Sequence, residues 1–213
     1  MLRVWAQCLL VAGLTLCPAP SVARSVEPPP VSFEFMQYGV GLVAETVASG
    51  GDVCAHSERT PCIIGSGFGP TIRIGYRSRG PWYVGGAYQF SRQNSSNLLR
   101  LAILQQLRAE SRYYFDYGDR LAPYGIASIG ATAYGNEWGI ATGGLVASLG
   151  AGFEFQLSEG TVVGGAAGYR LLVLRRWDDA TGQRRADRYL GFGFAHLVGF
   201  ELNWEIRDPL PRW

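Results

Sequence analysis

The chain alternates large apolar residues with small or polar ones along most of its length, a period of two that is typical of β-strands. In the first such segment Tyr38, Val40 and Leu42 are apolar, whereas Gln37 and Gly39 lie between them. Seven further segments repeat the pattern, beginning near Phe68, Trp82, Leu99, Pro123, Leu145, Val163 and Leu190. The pattern predicts an all-β protein with eight strands.

The segment 96–115 also contains many residues that favour helices, and Ser96 is a suitable helix N-cap. At about 100° per residue, however, its leucines spread around the helix and form no single apolar stripe. Its odd and even positions separate well into apolar and polar sets. We therefore predict a strand here, since a helix would leave an odd number of strands.

The polarity of the two sets is opposite to that of a soluble barrel. One set holds large aliphatic and aromatic residues, and the other holds glycines with Arg, Glu, Gln and Asn. The interior of an eight-stranded barrel is only wide enough for side chains, so we expect the small and charged set inside and the bulky set outside. An apolar outer surface suits lipid, where strands must close into a barrel without edges. Residues 33–206 are therefore predicted to form an eight-stranded antiparallel up-and-down transmembrane β-barrel.

The connections between the strands alternate in length. Short ones are predicted at 78–81, 116–121 and 158–160, and longer or more polar ones at 48–67, 92–97, 135–142 and 178–187. With both termini in the periplasm, the short set would face the periplasm and the long set the cell exterior.

The first residues have the features of a secretory signal. A basic start at Met1–Arg3 is followed by an apolar run over 4–16, and Ser21-Val22-Ala23 offers a small-x-small cleavage site. The run is too short to span a membrane as a helix, which needs about 20 residues. We predict a cleaved signal peptide at 1–23, a short segment at 24–32, the barrel at 33–206 and a short tail at 207–213. Lipidation of Cys17 is a weaker alternative.

Composition excludes two other classes of protein. Charged residues make up 17% of the chain and hydrophobic residues 47%, which is unlike a disordered chain. The formal net charge is +2, so there is no broad basic surface for nucleic acid.

The sequence resembles the small eight-stranded outer-membrane barrels of the OmpA/OmpX type. The resemblance is carried by Arg112-Tyr113-Tyr114-Phe115, by Pro123-Tyr124-Gly125 and by the last strand. In that strand Gly199, Leu202 and Trp204 are similar to the signal that such barrels present to the barrel-assembly machinery. Val198 departs from the usual polar residue before the glycine, and residues 208–213 extend past the strand, so either Trp204 or Trp213 would be the terminal aromatic. The resemblance implies a Gram-negative outer-membrane location and contact with outer-membrane lipid.

Cys54 and Cys62 lie in the longest outward connection. In an oxidising compartment a disulfide is the first interpretation. A metal site is the alternative, because Cys54, His56 and Cys62 are three soft ligands and Asp52 is near, although structural zinc sites usually have closer pairs. We predict the disulfide, with no metal and no cofactor.

Charged residues in the inward set are predicted to form a lumen charge network, because buried charges need partners. The members are Arg73, Arg77, Arg100, Arg108, Glu110, Arg112, Glu154, Arg170 and Glu201. The main interpretation is a salt-bridge plug. The alternative is a narrow pore or transporter through the charged lumen.

His196 is the remaining histidine of the predicted barrel, in the outward set. Outer-membrane lipid-modifying enzymes carry catalytic residues on the outer wall, but their nucleophilic serine follows the histidine by two residues, and here that residue is Val198. We therefore expect no catalytic residues and no enzyme activity. The predicted function is structural or surface-interactive, with the loops of a monomer meeting an unidentified extracellular ligand.

Overall fold

The computed structural model describes residues 34–54, 62–115, 120–178, 182, 184–185 and 191–210. Period-two segments of the sequence become its strands. The strands are β1 (Phe35–Ser49), β2 (Gly67–Arg77), β3 (Trp82–Gln93), β4 (Ala102–Tyr114), β5 (Leu121–Asn136), β6 (Gly139–Ser158), β7 (Thr161–Arg175), β8 (Trp177–Asp178), β9 (Arg184–Arg185) and β10 (Phe192–Pro209). A 3-10 turn covers Gly51–Val53. In the part of the chain described, no helix is long and apolar enough to cross a membrane.

Eight of these strands, β1–β7 and β10, form a closed barrel in which each strand pairs with its neighbours in antiparallel register. The ring closes between β1 and β10, where Tyr38 lies opposite Ile206 and Leu42 opposite Leu202. Strands β8 and β9 form a separate two-stranded sheet. The predicted eight-stranded antiparallel architecture is confirmed, including a strand rather than a helix over residues 102–114.

The two ends of the barrel differ. We call the end where β1 begins and β10 ends the terminal end, and the opposite end the loop end. Tight turns at 78–81 and 159–160 lie at the terminal end, whereas the strand ends that lead from β1 to β2, from β3 to β4 and from β7 to β10 lie at the loop end.

Three predicted boundaries are wrong. The connection predicted at 135–142 is a two-residue turn, because β5 and β6 continue until Asn136 pairs with Gly139. Residues 99–101 belong to a loop and not to β4. Strand β10 runs to Pro209 instead of ending at Ile206.

The outer surface of the barrel is apolar, as predicted. Large side chains point outward from every barrel strand and remain exposed, including Leu107 (62%), Leu145 (60%) and Leu149 (68%). Many of the inward positions between them hold charged, polar or small residues. Glycine is required where a long side chain lies opposite: a Cβ at Gly39 would come within 2.4 Å of the Cγ of Glu205.

The expectation that bulky residues face only outward is wrong at the loop end. Inside the barrel there, Leu104, Tyr134, Leu172 and Leu197 are at most 1% exposed and pack into an apolar cluster. On β5 the inward set holds the aromatic residues, since Tyr124 is also 1% exposed. The lumen therefore takes large apolar and aromatic side chains as well as the charged ones.

Candidate functional site: a filled lumen beneath the loop end

Glu154 on β6 is the centre of a buried group of ion pairs at the terminal end of the lumen. Its Oε1 lies 2.7 Å from Nη1 of Arg112, and its Oε2 lies 3.3 Å from Nη1 of Arg77. Arg207 and the hydroxyl of Tyr114 also contact this carboxylate. Glu154 is only 1% exposed, so these partners supply the hydrogen bonds that water would otherwise make.

A second carboxylate, Glu205 on β10, continues the network. Its Oε1 lies 2.9 Å from Nη2 of Arg112 and 3.0 Å from Nη1 of Arg73. Arg73 also pairs with Glu201, and its Nε lies 3.8 Å from Glu110. The network therefore crosses the lumen from β2 and β4 to β10.

Glu45 on β1 organises the next layer towards the loop end. Its Oε2 lies 2.7 Å from Nη1 of Arg170, and it accepts hydrogen bonds from Ser91 at 2.7 Å and Gln89 at 3.1 Å. In the same layer Arg108 lies 3.5 Å from Glu110.

Aromatic rings line the lumen at its terminal end. The guanidinium carbon of Arg112 lies 4.6 Å from the ring centre of Tyr83 and 5.0 Å from that of Tyr124. The guanidinium carbon of Arg77 lies 3.4 Å from the ring centre of Tyr114. These cation–π contacts hold the arginines in the orientation that their carboxylate partners require.

The lumen thus holds three regions in order along its axis. The ion pairs around Glu154 and Glu205 lie nearest the terminal end, the layer around Glu45 follows, and the apolar cluster lies nearest the loop end. A cavity of about 30 Å³ lies among Arg108, Arg170 and Glu201. A water molecule needs roughly 10–15 Å³, so this cavity has room for about one or two.

The connection between β1 and β2 contributes to the apolar cluster from the loop end. Val53, Ile63 and Ile64 are at most 1% exposed within it. The Tyr134 hydroxyl donates a hydrogen bond to the Ile63 carbonyl, which fixes this connection to β5. The predicted disulfide joins Cys54 and Cys62 in the same connection.

The metal alternative for this connection depends on His56, which lies outside the described residues. Among the residues that are described, no group of three or more His, Cys, Asp or Glu side chains is arranged to hold a metal ion.

Eight of the nine residues predicted for the lumen charge network lie buried inside the barrel. They are Arg73, Arg77, Arg108, Glu110, Arg112, Glu154, Arg170 and Glu201. The prediction for Arg100 is wrong: its side chain is 87% exposed and pairs with Glu137 at 3.3 Å on the loop end. Arg100 precedes the first residue of β4, so the alternation of that strand does not determine its direction.

Other members of the lumen were absent from the predicted network. Arg207 contacts Glu154 because β10 continues past Ile206, and its position follows from extending the period of two by one step. Tyr114 is likewise the next inward residue after Arg112. The cross-lumen hydrogen bond from Gln37 to Glu154, at 3.2 Å, has no signal in the sequence pattern.

On the outer wall, His196 forms a hydrogen bond with the Tyr169 hydroxyl, and the two ring centres are 5.8 Å apart. The predicted assembly residues Gly199, Leu202 and Trp204 lie on β10, where Leu202 and Trp204 point outward and are more than half exposed. Trp213 lies outside the described residues.

Known structures are similar to this chain, although no protein-family model matches it and no curated protein matches significantly. Neisserial surface protein A has a TM-score of 0.53 at 14% identity, covering 82% of this chain and 97% of its own. OprG of Pseudomonas aeruginosa has a TM-score of 0.52 at 13% identity, covering 86% and 99%. AlkL, an outer-membrane protein solved in DMPC bilayers, has a TM-score of 0.53 at 12% identity, covering 85% and 92%. The chain therefore has the fold of the small eight-stranded outer-membrane β-barrel proteins.

Proposed function

We propose that this protein is a non-enzymatic outer-membrane barrel with a closed lumen, which acts through the surface of its loop end. The single observation that carries the proposal is the filled lumen, in which the charged layers lie beneath an apolar cluster. The barrel then serves as a rigid support for the loops.

The outer wall supports the membrane location. Large apolar side chains are exposed on all sides of the barrel, and a soluble monomer rarely exposes so much continuous apolar surface. The known structures with the same fold are outer-membrane proteins. With the termini in the periplasm, the loop end faces the cell exterior.

Closure of the lumen argues against the pore alternative. An ion would have to separate buried pairs such as Arg112 with Glu154 and then cross the apolar cluster around Leu104 and Tyr134. Both steps are costly because the barrel interior offers few other polar partners for the separated charges.

The loop end offers exposed side chains for interaction. At the turn between β5 and β6, Trp138 is 82% exposed and Ile140 is 67% exposed. The Arg100–Glu137 pair lies beside them. Exposed aromatic and arginine side chains are the groups enriched at binding interfaces.

The enzyme alternative has no support from the outer wall. His196 contacts Tyr169 there, and the residue two positions later is Val198, which cannot act as a nucleophile. The proposal therefore assigns no catalytic residue.

Complementation of a deletion strain tests the proposal. We expect Trp138→Ser with Ile140→Ser to abolish rescue of the envelope phenotype, while Ser128→Ala, which changes an inward residue, preserves it. Both proteins must first show the heat-modifiable migration of a folded barrel. Full rescue by the loop-end variant would contradict a function at that surface.

A further inference from the structure

A groove of about 400 Å³ opens at the loop end between the first residues of β2, the last residues of β3 and the loop 94–101. Its lining combines polar, cationic and apolar groups. These include Ser66, Phe68, Arg92, Asn94, Asn97 and Arg100.

Arg92 lies at the boundary between the apolar wall and the polar loops. It is exposed on the outward side of β3, and Phe68, which is 57% exposed, lies opposite it on β2. Ile103 is its partner on the other side, on β4. Among the described residues, no carboxylate pairs with Arg92. Within the described part of the chain, this cation therefore has no counter-charge beside it at the upper edge of the apolar outer wall.

Arg100 provides a second cation in the same groove. It pairs with Glu137, and the two side chains are 87% and 44% exposed. Ion pairs as exposed as this one contribute little to stability. The pair occupies Nη1 and leaves the other guanidinium N–H groups available. Guanidinium groups suit phosphate oxygens, which can accept two parallel hydrogen bonds from one arginine.

Hydrogen bonds fix the walls of the groove before any ligand binds. The amide of Asn94 donates to the Ser66 carbonyl at 2.8 Å, which joins the two connections. Asn94 Oδ1 accepts from the Ser96 amide at 2.9 Å, and the Ser95 hydroxyl accepts from the Leu99 amide at 3.1 Å. A preformed groove reduces the entropy lost on binding.

We infer that this groove binds the phosphorylated headgroup of an outer-leaflet lipid. The phosphate oxygens lie between Arg92 and Arg100, and an acyl chain continues down the outer wall past Phe68. A lipid fits better than a soluble polyanion because Arg92 and Phe68 share the outward face of the barrel. The inference rests on the proposed outer-membrane location but not on the proposed interaction of the loop end with a partner.

The test uses the folded protein in phosphatidylcholine vesicles with diphosphoryl lipid A as the probe, and native mass spectrometry to measure bound lipid. We expect Arg92→Gln and Arg100→Gln each to weaken binding about fivefold, equivalent to ~1 kcal/mol. Lipid A without phosphates should bind wild type as weakly as the double variant binds the phosphorylated form. Arg100 is in an exposed loop, so its variant remains informative if Arg92→Gln fails to fold.

Arg175→Gln is the matched control, because Arg175 is exposed at the loop end of β7 outside the groove. It should bind the probe as wild type does. An equal loss in this control would overturn the site in favour of diffuse attraction to the rim. Complete displacement of lipid A by millimolar inorganic phosphate would also overturn it, since the site would then be a general anion site. Equal binding of both forms of lipid A by the wild-type protein would exclude phosphate recognition. An error in the proposed membrane location would be recognised separately, because the protein would then be absent from outer membranes.

Discussion

Glu154 shows how one carboxylate joins strands that are distant in the chain. It receives contacts from Gln37 on β1, Arg77 on β2, Arg112 on β4 and Arg207 on β10. Removing its charge leaves several buried cations with fewer partners, and breaking a buried pair by removing one partner is strongly destabilising.

We expect Glu154→Gln to lower the free energy of unfolding by about 3–5 kcal/mol. Glu159→Gln is the control, because Glu159 is exposed in the turn before β7, and its effect should be within about 0.5 kcal/mol. Urea titration of the barrel in lipid vesicles measures both. Equal effects of the two substitutions would show that Glu154 is not central to the lumen.

The inward charges could be predicted because successive side chains of a β-strand point to opposite faces, so every second residue points into the barrel. Eight of nine predicted charges are inside for this reason, and Arg100 fails because its residue lies outside β4. The rule does not tell which charges pair, since partners such as Arg73 and Glu201 are joined only by closure of the barrel.

Strand β6 has similarly exposed apolar residues at two different depths. Leu149 is 68% exposed in the middle of the strand, and Ile140 is 67% exposed near its loop end. If the barrel spans a membrane, only the first of them lies in the hydrocarbon core.

Leu149→Arg should therefore lower the free energy of unfolding by about 2–4 kcal/mol, and Ile140→Arg by at most about 1 kcal/mol, in unfolding titrations in vesicles. The same two variants should be compared in detergent micelles. A micelle has no bilayer midplane, so the difference between the two effects should be smaller there. A cost that does not differ between the two sites in vesicles would place β6 differently in the membrane.

The connection between β1 and β2 is the second element with its own prediction. Its disulfide closes a short segment, and Val53 and Ile63 on either side pack in the apolar cluster. Replacing Cys54 and Cys62 by Ser should lower the free energy of unfolding by about 2–3 kcal/mol through the entropy of the unfolded chain.

Unfolding titrations with and without reductant check this value, and non-reducing mass spectrometry should find the Cys54–Cys62 linked peptide. Two thiols that react with an alkylating agent before reduction would refute the disulfide. The double Ser variant is its own control, because reductant should not change its stability.

The sequence predicted the disulfide from compartment and spacing but not the packing of this connection inside the barrel. Val53 and Ile64 have no regular period, and their burial depends on the inward residues Leu104 and Leu172 of distant strands. Local patterns describe strands well because each strand has two faces, whereas a loop takes its place from the surface that it meets.

At the scale of the whole molecule, an apolar outer wall around layers of buried charges reverses the usual arrangement of a soluble protein. We expect the protein to fractionate with outer membranes and to migrate differently on mild-detergent gels before and after heating. The closed ring of eight strands is the reason, since it resists unfolding by detergent until it is heated. Recovery in the soluble periplasmic fraction without detergent would contradict the membrane location.

Conductance in planar bilayers tests the closed lumen most directly. The purified, folded protein should give little or no steady conductance, because ion pairs such as Arg112 with Glu154 and the apolar cluster around Leu104 fill the lumen. A general porin inserted by the same procedure controls for incorporation. Reproducible single-channel steps from the unmodified protein would contradict the closed barrel and favour a pore.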